Sequence, residues 1–434
     1  MKKILFVILD GLGDRPIKEL GDMTPLEAAE TPNMDFLAKG GICGVQNMLP
    51  RGVYPTSEEC HLALFGYDYI KDYPGRGVLE ALGAGIKLGP DDLAFRVDIG
   101  TVDDNLILID PHAGGVETVK ELTDSLQNIE IEGVKCEIFP TLEHRAVLVF
   151  RDPDGRLSHD FNDHSTRVTD TDPHKAGPHA KNVKVLEPKE LDDSKEADFT
   201  VKVLKEYQKQ TAEILKNHDF NKERVANGKL PCNYILTRGV GKLRDTDSFE
   251  KKYGLKAAAV AGAPLYKGIA KYLGMDLHED LTFTGTADTN LDGKVKKAIE
   301  LLTTNDQRPT TNFVYLHIKA TDSLAEDFGD YKGKRDFIEK IDKAFEPFLK
   351  MENVEIMITG DHTTSCELKD HTEDPVPFLI YNIDSIDSGQ ARMTGKFGES
   401  YCKEGGLGYI NGIEFIKILL DSGQARMTKG EEDV

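Results

Sequence analysis

Three apolar stretches of strand length stop abruptly at polar residues capable of chemistry. Ile4-Leu5-Phe6-Val7-Ile8-Leu9 ends at Asp10, Phe313-Val314-Tyr315-Leu316-His317-Ile318 runs into Lys319-Ala320-Thr321-Asp322, and Val354-Glu355-Ile356-Met357-Ile358-Thr359 runs into Gly360-Asp361-His362. Continuous apolar runs, unlike alternating ones, predict strands buried on both faces, as in a parallel sheet between helix layers. Phe337, Ile338, Ile341, Phe345, Phe348 and Leu349 recur at three- and four-residue spacing, and so do Val201, Leu204, Tyr207, Thr211, Ile214 and Leu215. Both sets predict amphipathic helices. Strand and helix thus alternate near both ends of the chain, an α/β signature. Ligands of open α/β sheets bind outside the carboxyl ends of the strands, so the three polar strand ends are expected to converge on one site.

The middle of the chain reads differently. Ala94 to Thr101 with Asn105 to Ile109, and Ala146 to Phe150 before Asp152-Pro153-Asp154-Gly155, are hairpin-like, and a stretch rich in Asp, His and Thr follows. The expectation is one core domain built from residues 1–90 and 250–434, with 91–249 inserted as an α+β cap domain. Ser388-Gly389-Gln390-Ala391-Arg392-Met393-Thr394 recurs as Ser422 to Thr428. Two copies do not make a solenoid, and a segmental duplication near a tolerant terminus accounts for them.

Composition narrows the function classes. The 434 residues carry 54 Lys+Arg against 75 Asp+Glu, a formal net charge of −21. That excess argues against nucleic acid or an anionic membrane surface as partner, since phosphate backbones are held by clustered Lys and Arg. It leaves a small anionic substrate open. The first apolar run follows Lys2-Lys3 as a signal peptide would, but it stops at Asp10 without a small-residue cleavage site and falls far short of the roughly 20 residues that span a bilayer. A buried first strand is the better reading. The six cysteines are scattered without a C-x-x-C pair, so neither a disulfide framework nor a cysteine zinc site is expected, and a cytoplasmic location fits.

Candidate chemistry gathers at the strand ends. Asp10, Asp322, Asp361, His362 and His371 offer carboxylate and imidazole ligands without thiolates, a set suited to Mn²⁺, Mg²⁺ or Zn²⁺ in one- or two-metal sites. A single Asp at a strand end is most often a turn residue or a helix cap; five such residues at sheet ends weaken that reading. Thr56-Ser57-Glu58-Glu59 matches a capping box at the start of a helix. The same geometry sets Ser57 among unpaired N–H groups that favour a phosphoryl group, where a nearby metal would activate its hydroxyl.

The order of motifs along the chain resembles the archaeal-type cofactor-independent phosphoglycerate mutases of the alkaline phosphatase superfamily. The matching stretches are Ile8-Leu9-Asp10-Gly11, Thr24-Pro25-Leu26-Glu27-Ala28-Ala29, Thr31-Pro32-Asn33-Met34-Asp35, Ser57 through His61-Leu62 to Phe65-Gly66-Tyr67-Asp68, and Gly75-Arg76-Gly77 to Leu82-Gly83-Ala84-Gly85-Ile86. They continue through Asp170-Thr171-Asp172-Pro173-His174, Lys319-Ala320-Thr321-Asp322, Thr359-Gly360-Asp361-His362, and Lys369-Asp370-His371 to Pro375-Val376-Pro377. The resemblance implies an alkaline-phosphatase-like α/β core and two divalent metal ions. One ion would be held by Asp10, Ser57, Asp361 and His362, the other by Asp322, Glu326 and His371. It further implies that Ser57 takes the phosphoryl group of 3-phosphoglycerate and returns it to the 2-hydroxyl, with no 2,3-bisphosphoglycerate. Arg167 and Arg238, then Lys267 and Lys319, would bind the substrate anion, and Asp172 and His174 would carry protons. The basic side chains are accordingly expected to concentrate locally within an acidic protein.

Two departures bear on efficiency and metal choice. Where the family commonly has Asp-x-x-x-His, this chain has Asp322-Ser323-Leu324-Ala325-Glu326; a carboxylate there favours Mn²⁺ or Mg²⁺ over Zn²⁺, or leaves one site weak. The usual Gly-Ser-Asp around the nucleophile is Thr56-Ser57-Glu58. Two rivals stand beside the mutase: another phosphomonoesterase or phosphomutase of the superfamily, and a non-catalytic metal-dependent binding protein. Association into a homo-oligomer stays open.

Overall fold

The structure is a computed structural model that describes residues 3–162, 182–303, 311–381 and 394–420. The chain divides into two compact units, one formed by residues up to Tyr73 and from Thr246 onward, the other by Pro74–Asp245.

The first unit is built on an eight-stranded sheet. In spatial order its strands are Asp276–His278, Ala257–Val260, Phe313–Ile318, Lys3–Leu9, Val354–Thr359, Val376–Tyr381, Ile42–Asn47 and Gly408–Asn411. All pairings are parallel except the two made by Val376–Tyr381. Lys3–Leu9 lies in the middle, buried on both sides as its unbroken apolar run predicts. Leu5, Val7 and Leu9 pack with Leu37, Val295, Phe337 and Ile341, on the helices Pro32–Gly40, Leu291–Thr303 and Tyr331–Ala344. Phe6 points the other way, with its ring 5.6 Å from Phe65 and 5.8 Å from Phe415. Those rings belong to the opposite layer, next to Ser57–Leu64 and on Gly412–Leu420. Registers Leu9↔Ile318 and Ile8↔Thr359 align the carboxyl ends of the three central strands. Asp10, Lys319 and Gly360 therefore leave the sheet side by side.

The second unit is α+β. Leu93–Val102 pairs antiparallel with Tyr234–Gly241, Arg145–Arg151 and Ile107–Asp110, and Val134–Pro140 extends the sheet. The helix Lys195–Asn217 presents Val201, Leu204 and Tyr207 to its core. The helix Arg76–Gly83 belongs to this unit, so the division falls before it and not near residue 90. Its Gly77 is the reason it can lie on the sheet: a Cβ there would sit 2.4 Å from the carbonyl oxygen of Ala94.

Alanine is the better helix former by about 1 kcal/mol, yet Gly77→Ala should destabilise the second unit by about 1–3 kcal/mol, the cost of overpacking. Thermal and denaturant unfolding would read the change; a stabilised Gly77→Ala protein would show that the helix does not sit this close to the Leu93–Val102 strand.

Candidate active site

Close backbone approach builds the site. Gly11 follows Asp10 at φ +59°, and a Cβ on it would meet Thr364 Oγ1 at 2.4 Å and Asp322 Cα at 2.9 Å. Its N–H donates to Asp361 Oδ1 at 2.9 Å. Only glycine tolerates both the left-handed conformation and that crowding. Asp322 lies in the first turn of the helix Ala320–Glu326. Ser57 opens the helix Ser57–Leu64, capped by Thr56, whose hydroxyl accepts from Glu59 N and donates to Glu59 Oε2. Half of the expected capping box therefore forms, Glu59 N to Thr56 Oγ1, while the Glu59 carboxylate accepts from the Thr56 hydroxyl.

The strand ends converge as two groups of ligand atoms, Asp10, Asp361 and His362 in one and Asp322, His362 and His371 in the other. His362 Nε2 is 3.4 Å from both Asp10 Oδ1 and Asp361 Oδ2, and 3.1 Å from Ser57 Oγ. His371 Nε2 is 3.3 Å from Asp322 Oδ1 and 4.0 Å from Glu326 Oε1. The two imidazoles stack at 3.7 Å.

Hydrogen bonding fixes which nitrogen faces the carboxylates. Thr364 Oγ1 donates to Asp322 Oδ1 at 3.0 Å, so it must accept from His362 Nδ1–H, also at 3.0 Å. His371 Nδ1 lies 2.8 Å from the carbonyl of Pro55, which can only accept. Both rings thus carry a proton on Nδ1 and turn Nε2 toward the acidic groups, the orientation of metal-binding imidazoles.

Electrostatics point the same way. Burial raises the Asp10 carboxyl well above its usual range, and the charges of Asp361 and Asp322 add to that. Asp361 is pushed up to about 7, mainly by burial and then by Asp322 despite the Gly11 N–H. Burial works against ionising Asp322 too, but the Lys319 ammonium and His371 hold it well below normal. His371 is raised to about 9 because Asp322 and Glu326 outweigh its burial. Asp10 Oδ1 and Asp361 Oδ2 are buried without a hydrogen-bond partner. Orphaned, mutually repelling carboxylate oxygens facing imidazole Nε2 atoms fit divalent cations, which would remove the repulsion and satisfy those atoms.

Lys319 Nζ reaches into the same cluster, 2.9 Å from Asp322 Oδ2 and 3.9 Å from Asp10 Oδ2. Lys267 is instead ion-paired to Glu279 at 2.8 Å. Arg238 belongs to the second unit, where it meets Asp98 at 3.2 Å. Arg167, Asp172 and His174 lie outside the described residues, as does the duplicated segment apart from Thr394.

Two further participants were not assigned a role from the sequence. Tyr266 donates its hydroxyl to Asp10 Oδ2 and stacks on His317 at 3.6 Å. His61 Nδ1 is 2.7 Å from the Ser57 carbonyl and 3.4 Å from Asp361 Oδ2. The i,i+4 spacing of Ser57 and His61 was the available cue for the second; nothing in the sequence marked the first.

Comparison with known proteins decides the family. The model of the 2,3-bisphosphoglycerate-independent phosphoglycerate mutases matches residues 38–221. A mutase of that name from Pyrobaculum islandicum is 40% identical over 428 residues, covering 96% of this chain and 97% of its own. The chain belongs to the 2,3-bisphosphoglycerate-independent phosphoglycerate mutase family. Among solved structures, the cofactor-independent phosphoglycerate mutase from Thermoplasma acidophilum is similar at a TM-score of 0.64 and 33% identity, over 97% of this chain and 99% of that one. A protein from Pyrococcus horikoshii aligns at a TM-score of 0.79 and 35% identity, over 97% of both chains.

For this member of the phosphoglycerate mutase family, cation binding should release protons. A proton on His371 Nε2 or on Asp361 blocks a ligand atom, and these groups hold protons up to about 9 and about 7. Affinity for Mn²⁺ should therefore rise with pH through that window and level off above it. Calorimetry in buffers of different ionisation enthalpy would count the protons released; affinity independent of pH across the window would remove these residues from the cation site.

Proposed function

We propose that the chain is a metal-dependent phosphoglycerate mutase that interconverts 3-phosphoglycerate and 2-phosphoglycerate through a phosphoserine at Ser57, as a soluble cytoplasmic enzyme of glycolysis and gluconeogenesis. The observation that carries the reading is the position of Ser57. It is the first residue of a helix and its Oγ lies 3.1 Å from an imidazole shared by both ligand groups. Full-length likeness to proteins named as such mutases supports the choice of substrate.

In this reading Asp10, Asp361, His362 and Ser57 hold one divalent cation, and Asp322, His371 and Glu326 the other. When bound, the ions supply charge neutralisation for the transferring phosphoryl oxygens and lower the pKa of the attacking hydroxyl. Ser57 Oγ attacks phosphorus, the bond from phosphorus to the substrate's 3-oxygen breaks, and the phosphoryl group rests on Ser57 at the positive end of its helix. The free glycerate turns, and its 2-hydroxyl oxygen takes the phosphoryl group back while the Ser57 oxygen leaves. No 2,3-bisphosphoglycerate is required, because the phosphoryl donor is the substrate itself. Lys319, which borders the acidic cluster, is assigned with Arg167, Arg238 and Lys267 to the substrate anion, and Asp172 and His174 to proton transfer. With Glu326 in place of an imidazole, Mn²⁺ or Mg²⁺ is favoured over Zn²⁺.

A coupled mutase assay on Mn²⁺-loaded protein, with and without added 2,3-bisphosphoglycerate, tests the core of this. Activity should not depend on the bisphosphate, and Ser57→Ala should lower turnover by at least about 10³-fold, as expected for loss of a nucleophile. Ordinary activity in Ser57→Ala would sink the mechanism. Hydrolysis of p-nitrophenyl phosphate far exceeding mutase turnover would favour a phosphomonoesterase instead. Glu326→His should shift metal preference toward Zn²⁺; unchanged stoichiometry, affinity and preference would exclude Glu326 as a ligand.

A further inference from the structure

Behind the ligand groups lies a second charged cluster to which the proposed chemistry gives no role. Lys334, on the helix Tyr331–Ala344, is 0% exposed. Its ammonium has three N–H donors and meets three acceptors: Gly13 O at 2.9 Å, Asp14 Oδ2 at 3.0 Å and Thr364 O at 2.8 Å. Asp14 is held from every side. Its carboxylate also accepts from Arg15 N at 2.8 Å and Cys366 N at 3.2 Å, and its own N–H donates to Glu399 Oε1 at 3.1 Å. Glu399 Oε2 in turn accepts from Thr24 Oγ1 at 2.6 Å.

The acceptors of Lys334 are the feature that matters. Gly13 and Asp14 belong to the loop that starts at Asp10, and Thr364 lies two residues after His362. Those two segments are already in contact through Thr364 N to Gly13 O at 3.0 Å. Thr364 is also the residue whose hydroxyl joins His362 Nδ1 to Asp322 Oδ1. A buried ammonium with all donors used has one low-energy position, so it fixes the distance between the two loops.

We propose that Lys334 is a positioning residue for the metal centre: its three donors tie the Asp10 loop to the His362–Thr364 segment and thereby set the ligand spacing and the orientation of His362. The inference rests on the reading of this cluster as a two-cation site. Without the ammonium, the Gly13 and Thr364 carbonyls lose a donor inside the protein. The bond from Thr364 N to Gly13 O and the pairing of Thr364 with His371 remain, but with its carbonyl untied Thr364 holds its hydroxyl less firmly against His362 Nδ1, and the His362 proton is no longer confined to that nitrogen.

Replacing Lys334 alone would strand the Asp14 charge, a change that commonly unfolds proteins, so the test uses Lys334→Met combined with Asp14→Asn. In the folded variant, Mn²⁺ affinity should fall about 10- to 100-fold, the usual effect of removing support behind a ligand. Nitrogen-15 spectra of the metal-free variant should show His362 as a mixture of tautomers, where the parent protein shows the Nδ1–H form. Parent-like affinity together with a parent-like His362 tautomer would overturn the proposal. Hydrogen exchange on the unaltered protein gives an answer even if the variant fails to fold. Mn²⁺ should slow exchange at the Asp14, Arg15 and Cys366 amides, all of which end on this cluster, and no slowing there would equally overturn it. If the parent protein takes up no Mn²⁺, the metal reading fails first, an outcome separate from a variant that binds normally.

Discussion

The structure turns on one electrostatic problem: three carboxylates share a dry pocket. Asp10 and Asp361 are 0% exposed and Asp322 is 3% exposed. Removing such groups from water is expensive unless each is paired, and among the described residues the Lys319 ammonium and the His371 imidazole both pair chiefly with Asp322. Two of the carboxyls accordingly resist ionisation, while the one nearest Lys319 stays charged. An unrelieved concentration of acid of this kind is a cost to folding. It persists where a ligand repays it, and divalent cations are the ligand whose charge and coordination demand match carboxylate oxygens and imidazole Nε2 atoms.

The surroundings follow from holding these groups together. Parallel register delivers two loops and one helix start at the same level, and Gly11 removes the side chain that would keep them apart. Backbone carbonyls complete the arrangement. Pro55 accepts from the Nδ1–H of His371, which ties the segment just before Ser57 to the acidic cluster, and the Ser57 carbonyl accepts from the Nδ1–H of His61 within the same helix. The position of Ser57 and the orientation of the His371 and His61 imidazoles therefore depend on the same short segment.

Much of this was legible in the sequence because the relevant signals are local. The mainly apolar runs at 4–9, 313–318 and 354–359 are the strands Lys3–Leu9, Phe313–Ile318 and Val354–Thr359, and the polar residues that end them are those that meet in space. The spacing of Phe337, Ile338 and Ile341 likewise marked the helix Tyr331–Ala344. What escaped depends on contacts distant along the chain. Tyr266 reads as a core aromatic in the helix Pro264–Tyr272 until that helix brings its hydroxyl to Asp10. Lys334 lies three and four residues before Phe337 and Ile338, on the apolar face of its helix, so the spacing marks a lysine turned inward, but only the fold shows that its partners are two loop carbonyls and the Asp14 carboxylate. The helix Arg76–Gly83 is amphipathic in either unit; Gly77 against Ala94 assigns it to the second.

Net charge was the least informative number about local fields. A chain at −21 nonetheless gathers Arg76, Arg96, Arg145 and Arg238 around Glu80 and Asp98 in its second unit. Arg96 is 3% exposed, and burial together with the neighbouring guanidiniums draws it down to about 10 despite Asp98. Its Nε and that of Arg145 are buried without a hydrogen-bond partner. The local fields of the two units thus differ in sign: buried carboxylates gather in the first, and arginines gather around a buried Arg96 in the second. A total charge registers neither local imbalance. The composition sums over a solvated acidic surface, whereas the chemistry depends on the few charges that folding removes from water.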